Sequence, residues 1–227
     1  MLTVRRYHPN DRQEWDSFVD NSKNGTFLLL RDFMEHHQVL FHDHSLLIGE
    51  NDNLAALLPA NEADGALHSH QGLTYGGFVT GRDMTSPRMI EVLAAVMNYA
   101  EKRKFSSLNY KTIPSIYHQH PAGEDLYALF RSGADLVRRD LLSVVEMSSR
   151  LPYQTRRSRM IKRANNADLE VHESGEWARF WPLLEAMLQE QHGVTPVHNL
   201  AEIIKLYELF PKSVRLFLCQ SRGDILA

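Results

Sequence analysis

Residues 72–104 read GLTYGGFVTGRDMTSPRMIEVLAAVMNYAEKRK and contain the clearest strand-to-helix transition in the sequence. Aromatic and β-branched residues predict a strand over residues 72–80, where Gly76-Gly77 indicates a bulge or a close approach of the backbone. Ser86-Pro87 then predicts the start of a helix, because serine caps helices and proline suits their first turn. We expect this helix to reach the end of the stretch with one apolar face.

The sequence on either side of this stretch completes a regular order of elements. Before it, hydrophobic periodicity predicts a strand, two helices and a hairpin; after it, a strand, a helix and one long strand or two short ones. The expected order is βααβββαβαβ. The predicted strands outside the opening stretch are residues 2–7, 45–48, 54–59, 106–113 and 136–147, and the predicted helices lie around Trp15 and Val19, over residues 30–40 and over residues 124–131.

The same order begins again near residue 169 and runs as βααββ. The first strands are offset by 167 residues, Leu2 with Leu169, and the hairpins by 169, Ser45 with Val214. This agreement predicts two copies of one unit. We expect a complete unit at 1–147, a basic connector at 148–168 and the first part of a second unit at 169–227, with roughly 90 residues of the second copy absent.

Composition restricts the class of protein. The chain has 227 residues, 43% apolar and 23% charged, with a formal net charge of -3 and one cysteine, Cys219. These values are typical of a globular protein without a disulfide framework. No apolar run approaches the roughly 18 residues of a membrane-spanning helix. The N-terminus lacks the apolar stretch of a signal peptide, so we expect a cytoplasmic protein.

The order βααβββαβαβ, with a glycine-containing segment before a capped central helix, resembles the GNAT acyltransferase fold: a mixed, mostly antiparallel sheet flanked by helices, in the α/β (α+β) class. Two such units in tandem, joined by a basic helical segment, resemble the Fem-type (FemAB-like) acyl-CoA N-acyltransferases. Residues 72–79, GLTYGGFV, and 157–164, RSRMIKRA, carry this resemblance. It implies transfer of an acyl or aminoacyl group to an amine, on a small-molecule, glycan or peptide precursor of the cell envelope.

The resemblance also implies a donor, and here the sequence departs from the family pattern. Acyl-CoA (acetyl-CoA) or an aminoacyl-tRNA acceptor end would supply the group. A GNAT unit that binds coenzyme A carries closely spaced glycines before its central helix. Arg82 and several glycines are present here, but their spacing differs. Phe130 also stands where many members have a tyrosine acid. The catalytic residues therefore stay unassigned.

The stretch from Arg150 to Arg163 holds six cationic and no acidic residues, so the rest of the chain carries a formal charge of -9 against the total of -3. On a helix, Arg156, Arg159 and Arg163 would share one face, with Lys162 beside them. We predict that these residues, with Arg82 before the central helix, bind an anionic ligand such as coenzyme A, a nucleotide-linked sugar or a tRNA acceptor end. A solvated linker helix is the alternative.

Five residues are candidates for the acceptor cleft. Small residues let a substrate approach the backbone, and polar ends can orient it. The candidates are Tyr75, Gly76, Gly77, Tyr110 and Lys111. A bulged strand with ordinary core and edge residues is the alternative.

Three His-x-His pairs begin at His42, His68 and His118, but no third ligand follows at an established spacing, so we expect no metal. Motifs of serine hydrolases, P-loop proteins and zinc proteases are missing from the sequence. Two other functions stay open: a non-catalytic GNAT-like module that binds a glycan or nucleotide-sugar ligand, and a nucleic-acid binder. The oligomeric state cannot be predicted from these patterns.

Overall fold

The computed structural model describes residues 2–36, 41–51 and 53–227. It divides into two units, Met1–Leu142 and Ser143–Ala227. The division lies five residues before the predicted end of the first unit, and the predicted connector belongs to the second unit. Part of the helix predicted over residues 30–40 lies outside the described residues.

The first unit follows the predicted order as far as α4, with additional short strands between α2 and α3. Its described strands are β1 Thr3–Arg6, β2 His42–Asp43, β3 Leu46–Glu50, β4 Asn53–Leu58, β5 Asn61–Ala63, β6 Ala66–His68, β7 Val79–Thr80 and β8 Leu108–Asn109. Its described α-helices are α1 Arg12–Asn21, α2 Arg31–His36, α3 Ser86–Lys102 and α4 Glu124–Arg131.

These strands form two sheets. The first has the order β1-β3-β4-β7, and all of its neighbours are antiparallel. The second has the order β2-β5-β6-β8, with a single parallel pair, β6 with β8, among its described neighbours. Because β2 leads into β3 and β4 into β5, the two sheets share one bent hairpin.

The central strands of the first sheet are buried on both faces, and alternate side chains supply the two cores. Leu46 and Ile48 of β3 pack in the cluster that contains the apolar face of α3. Leu47, between them, packs instead with Trp15 and Val19 of α1. This two-sided burial explains why the strands read as continuous apolar runs rather than alternating ones. The fold is therefore the predicted mixed α+β arrangement, with mostly antiparallel sheets between helices.

The predicted central helix forms, but its cap lies one residue earlier. The side-chain oxygen of Thr85 accepts a hydrogen bond from the backbone N–H of Arg88, 3.4 Å away. Thr85 has extended backbone angles, whereas Ser86 is already helical. The helix ends at Lys102 and leaves Lys104 with a positive φ of 62°. The N-cap of this helix is therefore Thr85, whereas the sequence predicted Ser86.

Three predicted strands are much shorter or absent. The strand predicted over residues 106–113 is reduced to the two residues of β8, Leu108–Asn109. Only β7 forms in the strand predicted over residues 72–80. No strand forms between residues 136 and 147, where Val137 is 90% and Leu141 99% exposed. A strand needs partners for its backbone N–H and C=O groups, and no described strand pairs with this segment.

A short hairpin, β5–β6, was missing from the sequence prediction. Its turn is Asp64-Gly65, in which both residues have positive φ, 51° and 72°. An Asp-Gly pair in this conformation is a strong hairpin signal, because it matches the twist of the strands. The signal was present in the sequence, but the flanking strands have only three residues each.

The second unit repeats the pairing of the first part of the chain. Its α-helices are α5 Thr155–Asn165, α6 Trp177–His192 and α7 Leu200–Leu209, and its strands are β9 Glu170–Ser174, β10 Leu216–Ser221 and β11 Asp224–Ile225. The sheet order β11-β10-β9 corresponds to β4-β3-β1, again antiparallel throughout. Asn199 and Glu202 form a capping box at the start of α7, with both hydrogen bonds at 2.9 Å.

Candidate functional site

The glycine-containing bend at residues 69–78 packs against the strand-like segment that contains β8. A Cβ atom on Gly76 would lie 2.0 Å from the carbonyl oxygen of Ser69. Gly77 has a φ of +93°, and its Cβ would lie 2.7 Å from both the carbonyl oxygen of Lys111 and the hydroxyl of Tyr110. The close approach that both glycines permit is thus made by the chain itself, and this contact accounts for them without a substrate.

Tyr110 supports this bend from inside. Its hydroxyl accepts a hydrogen bond from the backbone N–H of Phe78 and donates one to Asp125, each 2.7 Å long. Burial raises the pKa of the Tyr110 phenol well above its usual value and also raises the pKa of the Asp125 carboxyl. The hydroxyl is therefore committed to internal partners in this structure.

Lys111 is anchored to the same bend by two contacts. Its backbone N–H donates to the Ser69 hydroxyl at 2.6 Å, and its ammonium donates to the carbonyl oxygen of Leu73 at 2.5 Å. Burial lowers the pKa of the Lys111 ammonium. The side chain is half-buried, so Lys111 combines a fixed position with partial access to solvent.

Tyr75 is the aromatic member of the site. Its ring lies 5.1 Å from that of Tyr117, and its hydroxyl shares a 2.8 Å hydrogen bond with the Thr26 hydroxyl. Tyr75 is buried whereas Tyr117 is exposed. Burial raises the pKa of the Tyr75 phenol. The buried Tyr75 ring thus packs beneath the exposed ring of Tyr117.

Lys23 and Asn24 connect this site to the rest of the unit, and the sequence prediction missed both. The Asn24 amide donates to the carbonyl oxygen of Phe78 at 2.9 Å, and its oxygen accepts from the N–H of Thr80 at 3.0 Å. The Asn24 side chain thereby takes the place of a neighbouring strand beside β7. In the sequence, Asn24-Gly25 falls between two predicted helices, a position that does not predict these hydrogen bonds.

Lys23 is unusual because a lysine is rarely buried unless it is paired. Its ammonium donates to the carbonyl oxygen of Met84 at 3.0 Å and forms an ion pair with Glu124 at 2.5 Å. The Lys23 side chain is only 7% exposed. No spacing rule signals such a pair across 101 residues, so only the folded structure reveals it.

The predicted anion-binding residues fall in two separate places. Arg82 is exposed in the turn before α3, in the first unit. Arg156, Arg159, Lys162 and Arg163 lie together on α5, in the second unit, and all four are exposed. None of these five residues takes part in an ion pair within the described part of the chain.

The histidine pairs do not build a metal centre. His44 is buried, with Nδ1 2.7 Å from a Glu62 oxygen and Nε2 2.9 Å from the Tyr99 hydroxyl. His42 forms an ion pair with the other oxygen of Glu62. Burial lowers the pKa of the His44 imidazole. Among residues 2–36, 41–51 and 53–227, no three His, Cys, Asp or Glu side chains are arranged to hold a metal ion.

Within the same residues, no helix has both the length and the apolar character needed to cross a membrane.

Comparison with known proteins shows the fold and no more. No protein-family model and no curated protein matches the chain. The chain is similar to the crystal structure of FemX, with a TM-score of 0.55 and 14% sequence identity over 96% of this chain and 58% of that chain. A mutant of TTHA1254 from Thermus thermophilus is also similar, with 18% identity over 65% of this chain and 99% of that one, but its TM-score is only 0.36.

The chain thus has a Fem-like fold and spans 58% of the length of FemX.

Proposed function

We propose that this protein is a Fem-like transferase of the GNAT superfamily, which moves an acyl or aminoacyl group to an amine of a cell-envelope precursor. The observation that carries the proposal is the likeness to FemX over 96% of the chain, because this likeness extends across both units. Activity in the cytoplasm and a donor such as acyl-CoA or aminoacyl-tRNA belong to the same proposal. At 14% identity the likeness supports the fold, and the chemistry rests on the site.

The proposed reaction needs few groups from the protein. The acceptor amine attacks the acyl carbonyl, a C–N bond forms, and the C–S bond of a thioester or the C–O bond of an aminoacyl ester breaks. The amine loses a proton and the leaving thiol or hydroxyl gains one. Backbone N–H groups would stabilise the developing oxyanion, and a base would receive the proton. We assign neither role to a particular residue.

In the proposed acceptor site, Lys111 and the exposed ring of Tyr117 contact the substrate, Tyr75 packs behind that ring, and Tyr110, Gly76 and Gly77 hold the bend. Burial lowers the pKa of the Lys111 ammonium. A half-buried amine on a fixed backbone suits the orientation of a polar acceptor. Arg82 in the first unit and the cations of α5 in the second are each proposed, separately, to bind anionic groups.

The test is an assay for loss of the donor. Acetyl-CoA or an aminoacyl-tRNA is incubated with the protein and a set of amine acceptors, and release of free thiol or free tRNA is measured. We expect release that depends on the acceptor and falls at least about tenfold in Lys111→Met, while Lys102→Met, an exposed lysine at the end of α3, serves as the control. Donor release without any dependence on acceptor would argue against the proposal.

The second candidate is a non-catalytic module that binds a glycan or nucleotide-sugar ligand. It is favoured by the packing of Gly76 and Gly77 against the chain itself, because these two glycines then need no reacting substrate to explain them. Ligand binding by calorimetry with no turnover of any donor would select this function over the transferase.

A further inference from the structure

Residues 147–163 of the second unit combine a high positive charge with exposed apolar side chains. Between Arg150 and Arg163 there are six cationic residues and no acidic one. The helix α5 carries five of them within eleven residues. Like charges three or four residues apart on a helix repel each other, so this helix is favoured by an anionic partner.

The chain itself does not supply that partner. Elsewhere in the second unit, Arg179 pairs with Glu176 and Arg215 with Glu173. The cations of α5 form no ion pair in the part of the chain that the structure describes; they are Arg156, Arg157, Arg159, Lys162 and Arg163. Among the residues that the structure describes, the Arg150 guanidinium contacts the Tyr153 hydroxyl and ring.

Large apolar side chains alternate with these cations and point to the nature of the partner. They are Met147, 74% exposed, Leu151, 83%, Tyr153, 50%, Met160, 58%, and Ile161, 37%. A soluble phosphate ligand or an RNA has no need of exposed aliphatic groups, whereas a lipid surface buries them between its headgroups.

A depression on this surface adds a place for a headgroup. It measures about 500 Å³ and is lined by Pro152, Tyr153, Gln154, Arg157 and Ile161. The guanidinium of Arg157 can pair with a lipid phosphate, while Tyr153 and Ile161 supply an apolar wall. Tyrosine and arginine are both suited to the boundary between headgroups and acyl chains.

We propose that residues 147–163 dock the protein on the surface of an anionic lipid bilayer, with the cations on the headgroups and Leu151, Met160 and Ile161 in the interface. The sequence predicts an anionic ligand for the α5 residues, and this proposal specifies that ligand as an anionic lipid bilayer. It rests on the charge and exposure of this segment and does not depend on transferase activity.

The experiment is flotation of the full chain with lipid vesicles. We expect binding to vesicles of phosphatidylcholine with phosphatidylglycerol and none to phosphatidylcholine alone. Each cation near an anionic surface contributes about fivefold in affinity, so Arg156→Ala with Arg159→Ala lowers affinity about thirtyfold. The control, Lys205→Ala with Lys212→Ala, removes two exposed cations of the same unit and leaves binding nearly unchanged.

A second variant separates lipid from RNA. Leu151→Ser with Ile161→Ser keeps every charge, so we expect it to weaken vesicle binding and to leave any electrostatic binding of tRNA unchanged. Equal binding to neutral and anionic vesicles, equal loss in the lysine control, or binding of tRNA but not of vesicles would each overturn the proposal. All six substituted side chains are exposed, and circular dichroism checks that the variants keep the fold.

Discussion

The hydroxyl oxygen of Tyr110 lies 2.7 Å from a carboxylate oxygen of Asp125, and the same hydroxyl accepts a hydrogen bond from Phe78. One side chain thus joins α4 to the glycine-containing bend. The bend has few strand hydrogen bonds of its own, so its position depends on such side-chain contacts.

Removing the Tyr110 hydroxyl leaves two polar groups without this partner. We expect Tyr110→Phe to lower the free energy of unfolding by about 2–3 kcal/mol, because the Phe78 N–H and the Asp125 carboxyl both stay largely buried. Urea unfolding measures the change. Tyr127→Phe on α4 is the control: Tyr127 is 44% exposed and should change stability by less than about 0.5 kcal/mol. Equal effects of the two changes would show that the hydroxyl of Tyr110 does not stabilise the contact between α4 and the glycine-containing bend.

Adding a methyl group at Gly77 combines backbone strain with a collision. Gly133 has a similar positive φ, 73°, but open space around its Cβ position, so Gly133→Ala measures the strain alone. We expect Gly133→Ala to cost about 1–2 kcal/mol and Gly77→Ala at least about 2 kcal/mol more, by thermal or urea unfolding. A cost at Gly77 no larger than at Gly133 would contradict the close packing of the bend on Lys111.

The buried imidazole of His44 predicts a dependence of stability on pH. Burial lowers the pKa of His44 in the folded protein, so the unfolded chain binds the proton more readily. Its contribution to stability is complete above the unfolded pKa of about 6.5 and is lost as the pH falls below that value. Unfolding measured between about pH 7 and pH 5.5 should show a smaller loss of stability in His44→Gln than in the parent protein.

The control for this experiment is His172→Gln, because His172 is exposed on β9. We expect it to retain the pH dependence of the parent protein. If the His44 variant loses stability with acid as steeply as the parent, the buried Glu62–His44–Tyr99 contacts do not govern this response.

Sequence periodicity predicted the elements that bury a continuous face. The helix α3 and the hairpin β3–β4 follow directly from apolar spacing, since both are fully packed on one side or two. The repeated order of strands and helices also led to the Fem-type resemblance, and the likeness to FemX confirms the fold at that level. Where burial of apolar side chains holds a segment in place, its hydrophobic pattern predicts its secondary structure.

The elements held by single polar contacts were not predictable in this way. Residues 72–78 have the composition of a strand, but the side chains of Asn24, Tyr110 and Lys111 make the backbone contacts that a neighbouring strand would make. Residues 136–147 also have the composition of a strand, but they pair with none of the strands that the structure describes. In the sequence, Lys23 resembles an ordinary surface lysine, but in the structure it is buried and forms an ion pair with Glu124. Such contacts join residues that are far apart in the sequence, and they produce no periodic pattern from which the pairing could be predicted.

The central proposal is transfer of an acyl or aminoacyl group to an amine, and the mass of the acceptor tests it most directly. An amine-bearing envelope precursor is incubated with the protein and a donor, acetyl-CoA or aminoacyl-tRNA, and then analysed by mass spectrometry. We predict that the acceptor gains the mass of one acyl or aminoacyl group, and that Lys111→Met reduces this gain while Lys102→Met does not. An acceptor of unchanged mass with every donor, under conditions in which the acceptor binds to the protein, would contradict the transferase proposal.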